Sequence, residues 1–193
     1  MFTLETLPIT RRCFFVKASL AAAAASTATS LLGSAPAVAA TNEHSDSPDL
    51  PDAALLNSGE VPAYLLVFHT GQEPMKGLQA FAKKHDLVAG HLTGIGALSG
   101  AVIGYFDPEK NAYLRHQEDG QAELLSLTGN LALNDNEPFF HIHAALGLRD
   151  GSARGGHLFE AIVRPTVELV LTTLPRPIRR EIDHDTGLPL VDP

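Results

Sequence analysis

Residues 139–160 read FFHIHAALGLRDGSARGGHLFE. An apolar run carries His141 and His143 one residue apart, a turn follows at Arg149-Asp150-Gly151-Ser152, and Gly155-Gly156 delivers a third histidine, His157. Side chains alternate across a strand, so the rings of His141 and His143 point to one face, roughly 6.6 Å apart along it. Two apolar segments around such a turn predict a hairpin. Three imidazoles converging from a hairpin can hold a divalent ion and leave a fourth position open, as catalytic zinc sites do and closed structural sites do not. Zn²⁺ suits this donor set best, and nickel, copper or iron also fit it. The plainer reading is a pair of satisfied histidines in a sheet core.

Working outward, residues 63–69 (AYLLVFH) form an apolar run of strand length. Pro74 then opens a helix over residues 74–85, with Met75, Leu78, Phe81 and Ala82 on one stripe and Lys76, Lys83 and Lys84 mainly off it. Beyond Leu87 the chain reads as strands and turns. Residues 89–97 and 101–106 are extended, residues 107–111 turn, and residues 113–116 return. Residues 122–127 (AELLSL) form a strand ended by Thr128-Gly129-Asn130, and residues 166–174 (TVELVLTTL) form the last strong strand. The proline-rich tail, residues 175–193, is expected to lie over the surface. One early helix and several hairpin-linked strands predict an α+β domain around an antiparallel sheet, spanning residues 61–190.

The first 39 residues carry a different signal. Thr10-Arg11-Arg12-Cys13-Phe14-Phe15-Val16-Lys17 is a twin-arginine pattern, a mild Ala/Ser/Thr/Leu stretch follows, and Ala37-Val38-Ala39 offers a small-residue cleavage site. The expected location is periplasmic or extracellular. Residues 40–60, polar, acidic and proline-bearing, read as a flexible leader. The whole chain has net charge −8; residues 1–39 hold three bases and one acid, so the remainder is −10. That balance repels phosphate backbones, and no Lys/Arg-rich run opposes it. The single cysteine is Cys13, so a metal in the mature part must rely on His and oxygen donors. No later apolar run approaches the ~18 residues of a membrane span.

Among acids, Glu123 is the candidate acid/base group, because it sits mid-strand between apolar residues where an unpaired carboxylate is costly. It could hydrogen-bond a metal-held water, orient a ligand histidine, or pair with an arginine. Glu160 points away from His157 if strand parity holds, and Glu168 suits a contact between strands or subunits. Arg149 and Arg154 on the turn read as solvated, although one reaching inward could clamp a carboxylate. His69, His91 and His116 read as packed or surface residues, and His44 and His184 fall in loose segments. Gly94-Ile95-Gly96 opens no helix, so it is not a nucleotide loop.

Five stretches, HLTGIGALSGAVIGYFDPEKNAY (91–113), AELLSLTGNLAL (122–133), PFFHIHAAL (138–146), GGHLFEA (155–161) and TVELVL (166–171), resemble in order and content the PPC (plant and prokaryote conserved) domain family. The resemblance implies an antiparallel-sheet domain with one main helix, a homotrimer, and a metal set of His141, His143 and His157. Plant relatives bind AT-rich DNA through an added Arg-Gly-Arg-Pro-type hook, which this sequence lacks. The fold is also similar, more distantly, to that of acetolactate decarboxylase, whose zinc sits on a His-x-His pair and a later histidine. That parallel supports by analogy a metal-dependent enzyme acting on a small anionic or carbonyl-containing molecule. The alternatives are a non-enzymatic trimeric metal- or ligand-binding module and, disfavoured by charge and export, a DNA-binding protein.

Overall fold

The computed structural model describes residues 42–43, 48–57, 59 and 61–192. The expected export segment, Cys13 and His44 lie outside them. The elements are β1 (Asn42–Glu43), β2 (Asp52–Asn57), β3 (Ala63–His69), α1 (Pro74–Lys84), β4 (Gly90–Asp107), β5 (Ala112–Asn134), β6 (Glu137–Gly147), β7 (Ala153–Thr173), β8 (Arg179–Ile182) and β9 (Pro189–Asp192).

The helix forms where the apolar stripe predicts it. Pro74 occupies its first turn, and the Glu73 carboxylate caps it by accepting from the backbone N–H groups of Met75 (3.1 Å) and Lys76 (2.8 Å). Lys83 and Lys84 stand in the last turn, where cations oppose the helix dipole. Leu78, Phe81 and Ala82 are buried against the sheet, at roughly 1.5–3 kcal/mol for each large side chain. No helix among the described residues is long and apolar enough to cross a membrane.

The α+β expectation is corrected. Strand accounts for 66% of the described residues and helix for 8%, in a single sheet, so the domain is predominantly β. The pieces that the sequence breaks at glycines are joined into long strands. β4 runs through Gly100, and β5 runs through Gly120 and Gly129. Gly129 ends nothing: it pairs with Ile142, and a Cβ there would collide with the His141 carbonyl oxygen. A glycine inside a strand here marks close backbone approach, not a turn.

These long strands change neighbours along their length. β4 pairs with β5 and β7, β6 pairs with β5 and β7, and so the four close a ring of antiparallel ladders. Register shifts at Gly94/Gly96, Leu98/Gly100 and Leu124/Ser126 bend the strands as bulges do. Beyond the ring, β3 pairs with β7 and β2 with β3. β2 lies inside the stretch read from the sequence as a leader, and it supplies a partner for the outer edge of β3.

The tail pairs with the sheet as well. β8 runs parallel to β5 at Leu133 and Asn134, and β9 folds back on β8. The turn between them is fixed by Asp183, whose carboxylate accepts from the Thr186 N–H (2.8 Å) and hydroxyl (2.6 Å).

Candidate metal centre

β6 buries Phe140, Ile142, Ala144 and Leu146 on one face, so alternation sends His141 and His143 to the other. β7 buries Leu158, which sends His157 the same way, and His157 is the direct cross-strand partner of His143. The three rings meet. Their centroids are 5.1, 5.2 and 5.6 Å apart, and one ligand nitrogen from each lies within 4.8 Å of the others. Nε2 of His141 and Nε2 of His143 are 3.2 Å apart. Two nitrogens on one tetrahedral zinc stand about 3.3 Å apart, given bonds of ~2.0–2.1 Å.

His143 is exposed, while His141 and His157 are half-buried. Tyr113 and Phe159 pack on His157 at centroid distances of 5.1 and 4.7 Å. Its Nδ1 is buried and meets no hydrogen-bond partner. Burial, followed by His141, His143, Arg115 and Arg180, pushes the His157 pKa down to about 4. Burial, then Arg180 and His143, also lowers that of His141. Both rings are therefore held neutral, the form that ligates a metal. The donor set fits a divalent ion of the zinc type: three convergent imidazoles and an orphaned ring nitrogen, with no carboxylate or thiolate in the cluster among the described residues.

The lowered pKa values have a measurable consequence in chelator-treated protein. His157 titrates near 6.5 when unfolded and near 4 when folded. Between those values the unfolded chain binds the extra proton, so acidification from about pH 6.5 to pH 4 must lower stability. Urea midpoints should fall across that window, and the fall should shrink in His157→Gln. A flat profile in the parent would contradict the assignment.

Gly156 explains how His157 reaches its place. A Cβ there would collide with the Gly104 carbonyl oxygen on β4, which pairs with His157 itself. The close approach of β4 and β7 at this point requires glycine.

Glu123 is not brought to the histidines. It is exposed, pairs with Ala97 and Gly147, and borders a shallow groove with Ile95, Leu125 and Thr166. It stands five residues along β5 from Thr128, the partner of His143, or ~16 Å at strand spacing. Arg154 pairs with Glu118 at 2.6 Å, and Arg149 stays exposed on the turn. Glu160 is exposed, but the parity argument for it lapses. The β4 partners step from Val102–Glu160 to Ile103–Leu158, leaving Phe159 as an extra residue in a bulge. His69 pairs with Asp52 at 2.8 Å, and Asn130 separates His91 from His141.

The residue that the sequence reading missed is Arg180. β8 brings it alongside β5, 7% exposed, where it donates to the Asn130 side chain and to the Pro189 carbonyl. Arg180 lies 23 positions beyond His157 in a segment with no strong strand pattern, so the sequence alone offered only the Asp183–Thr186 turn signal. A cleft of about 860 Å³ opens between α1 and the ring, bordered by Met75, Gln79, Phe139 and Phe159. None of the three histidines lines it, but Phe139 and Phe159 connect its wall to their surroundings.

Fold and donor set together define a β domain with a three-histidine site that could bind a metal. The sequence matches the Plants and Prokaryotes Conserved domain over residues 57–175. The chain belongs to that family. It is similar to a plant- and prokaryote-conserved protein from Pyrococcus horikoshii (35% identity, TM-score 0.65, covering 73% of this chain and 94% of that one). It is also similar to a metal-containing protein from Archaeoglobus fulgidus (34% identity, TM-score 0.64, 75% and 99% covered). A candidate DNA-binding protein from Bacteroides thetaiotaomicron is 29% identical, with TM-score 0.66 and 72% and 96% covered. No curated protein matches.

Proposed function

We propose that this chain is an exported, homotrimeric metalloprotein whose His141–His143–His157 centre takes a divalent ion, zinc foremost, and binds a small anionic or carbonyl-containing molecule. The observation that carries the reading is the meeting of three imidazoles on the outer face of the sheet, with His143 open to solvent. The likeness to the metal-containing Archaeoglobus fulgidus protein supports it. A divalent ion held there supplies Lewis acidity toward an oxygen of the bound molecule. The chain's own part is to keep two of the rings neutral and to fix them on paired strands.

The distance of Glu123 from the centre favours a second reading, a non-enzymatic metal- and ligand-binding module. Turnover would have to rest on the ion and on groups other than that carboxylate. DNA binding finds no support in an acidic chain; a gel shift at low salt would retard DNA if that reading held. Exposed Ile95, Tyr105 and Leu125 support self-association. The twin-arginine pattern supports export.

The test is metal analysis of mature protein recovered from its export pathway, with mass by light scattering. About one ion per chain and a mass three times that of the chain are expected. Protein that takes up no metal under conditions that load other zinc proteins would end the metal reading, and a monomer mass would end the trimer.

A further inference from the structure

Asn130 on β5 is the direct cross-strand partner of His141 on β6, so the two side chains share a face. The Asn130 side-chain oxygen accepts from Nη2 of Arg180, and the Pro189 carbonyl on β9 accepts from Nη1 at 2.8 Å. The guanidinium carbon lies 5.2 Å from the ring of Phe139, two residues before His141 on the same side of β6. Arg180 is thus pinned at the flank of the histidine cluster.

This placement leaves two debts of physical chemistry. The side chain is 7% exposed, yet no carboxylate among the described residues stands within ion-pair distance of it. Its Nε–H is buried without an acceptor. A buried cation without a counter-charge and a buried donor without a partner are both costly, and one anion arriving from outside relieves both. Arg154, the other arginine near the hairpin with a buried partner, is already neutralised by Glu118.

We propose that Arg180 is the anion-recognition residue of the histidine centre, and that the molecule bound there carries a carboxylate. The fork of the guanidinium matches carboxylate geometry, and an ammonium does not. This rests on the metal reading above: the carboxylate engages Arg180 while the ligand occupies the position beside the three histidines. Phe139 and Asn130 are positioning residues, holding the guanidinium in place.

The experiment uses full-length mature protein loaded with Co²⁺, whose visible absorption reports both metal uptake and ligand exchange. Acetate and oxalate are titrated into the parent, Arg180→Met, Arg180→Lys and Arg149→Met. The parent should give saturable spectral changes. Arg180→Met should take up Co²⁺ equally but bind either anion about tenfold more weakly or worse, the scale of a lost charge-assisted hydrogen bond. Arg149→Met should match the parent. If Arg180→Met fails to fold, Arg180→Lys decides, because it keeps the charge and loses the fork; a drop of about threefold or more is expected. Unchanged anion affinity in a cobalt-loaded Arg180 variant overturns the proposal. So does a parent that ignores both anions, as it would if a carboxylate of a second copy already neutralised Arg180. Failure of the parent to take up Co²⁺ overturns the metal reading instead, and the two failures are told apart by the cobalt spectrum before any anion is added.

Discussion

His143→Ala is expected to abolish uptake of a divalent ion while leaving the fold standing. His143 is the exposed member of the triad, so its loss should move the stability of metal-free protein by no more than about 0.5 kcal/mol. Metal affinity should fall about a hundredfold or more, beyond the 10–100-fold that outer partners of a metal site control. The contrast shows in thermal unfolding with and without zinc. At zinc concentrations near 100 times the dissociation constant, the parent gains about 2.7 kcal/mol and the variant almost nothing. Equal stabilisation of both proteins by zinc would place the ion elsewhere.

Gly156→Ala should be strongly damaging. The added methyl meets the backbone carbonyl of Gly104, which cannot swing aside as a side chain can. Relief requires β4 and β7 to separate at the Gly104–His157 pair, breaking ladder bonds and moving His157 off its partners. An overpacking cost of about 3 kcal/mol is expected. For a domain of this size that lowers the melting temperature by roughly 6–12 °C. Metal uptake should fall with it, although the substituted residue offers no ligand. Gly100→Ala is the comparison, because its Cβ would find only an ordinary contact, 3.6 Å from the Glu118 carbonyl. That variant should be close to neutral. If the two variants melt together, close strand approach is not what Gly156 provides.

The candidate site was more legible than the fold class. His141 and His143 sit two apart among Phe140, Ile142 and Ala144, and a period of two fixes their common face without knowledge of anything else. The hairpin turn then needs only to set the register that puts His157 opposite His143. Glu123, between Ala122 and Leu124, reads from the sequence as a costly unpaired acid, whereas its strand turns that face to solvent. Glu160 escaped parity through the bulge at Phe159, and no single-residue pattern marks a bulge in advance. The α+β expectation came from weighing one early helix against several short strands, some of which are joined in the fold. Gly129 is instead the place where β6 comes closest to β5.

The sequence by itself determined what is local: the helix, with its proline, stripe and terminal lysines, the strand β3, and the shared face of the paired histidines. Each follows from side-chain period or from capping within a few residues. Only the tertiary structure decided what depends on distant backbone: the merging of strand fragments into a closed ring, the pairing of β2 with β3, and the arrival of Arg180 beside His141 from a tail that pairs with β5. Those outcomes are set by which ladders close and by where two chains can approach, and neither quantity is written in the residues of one strand alone.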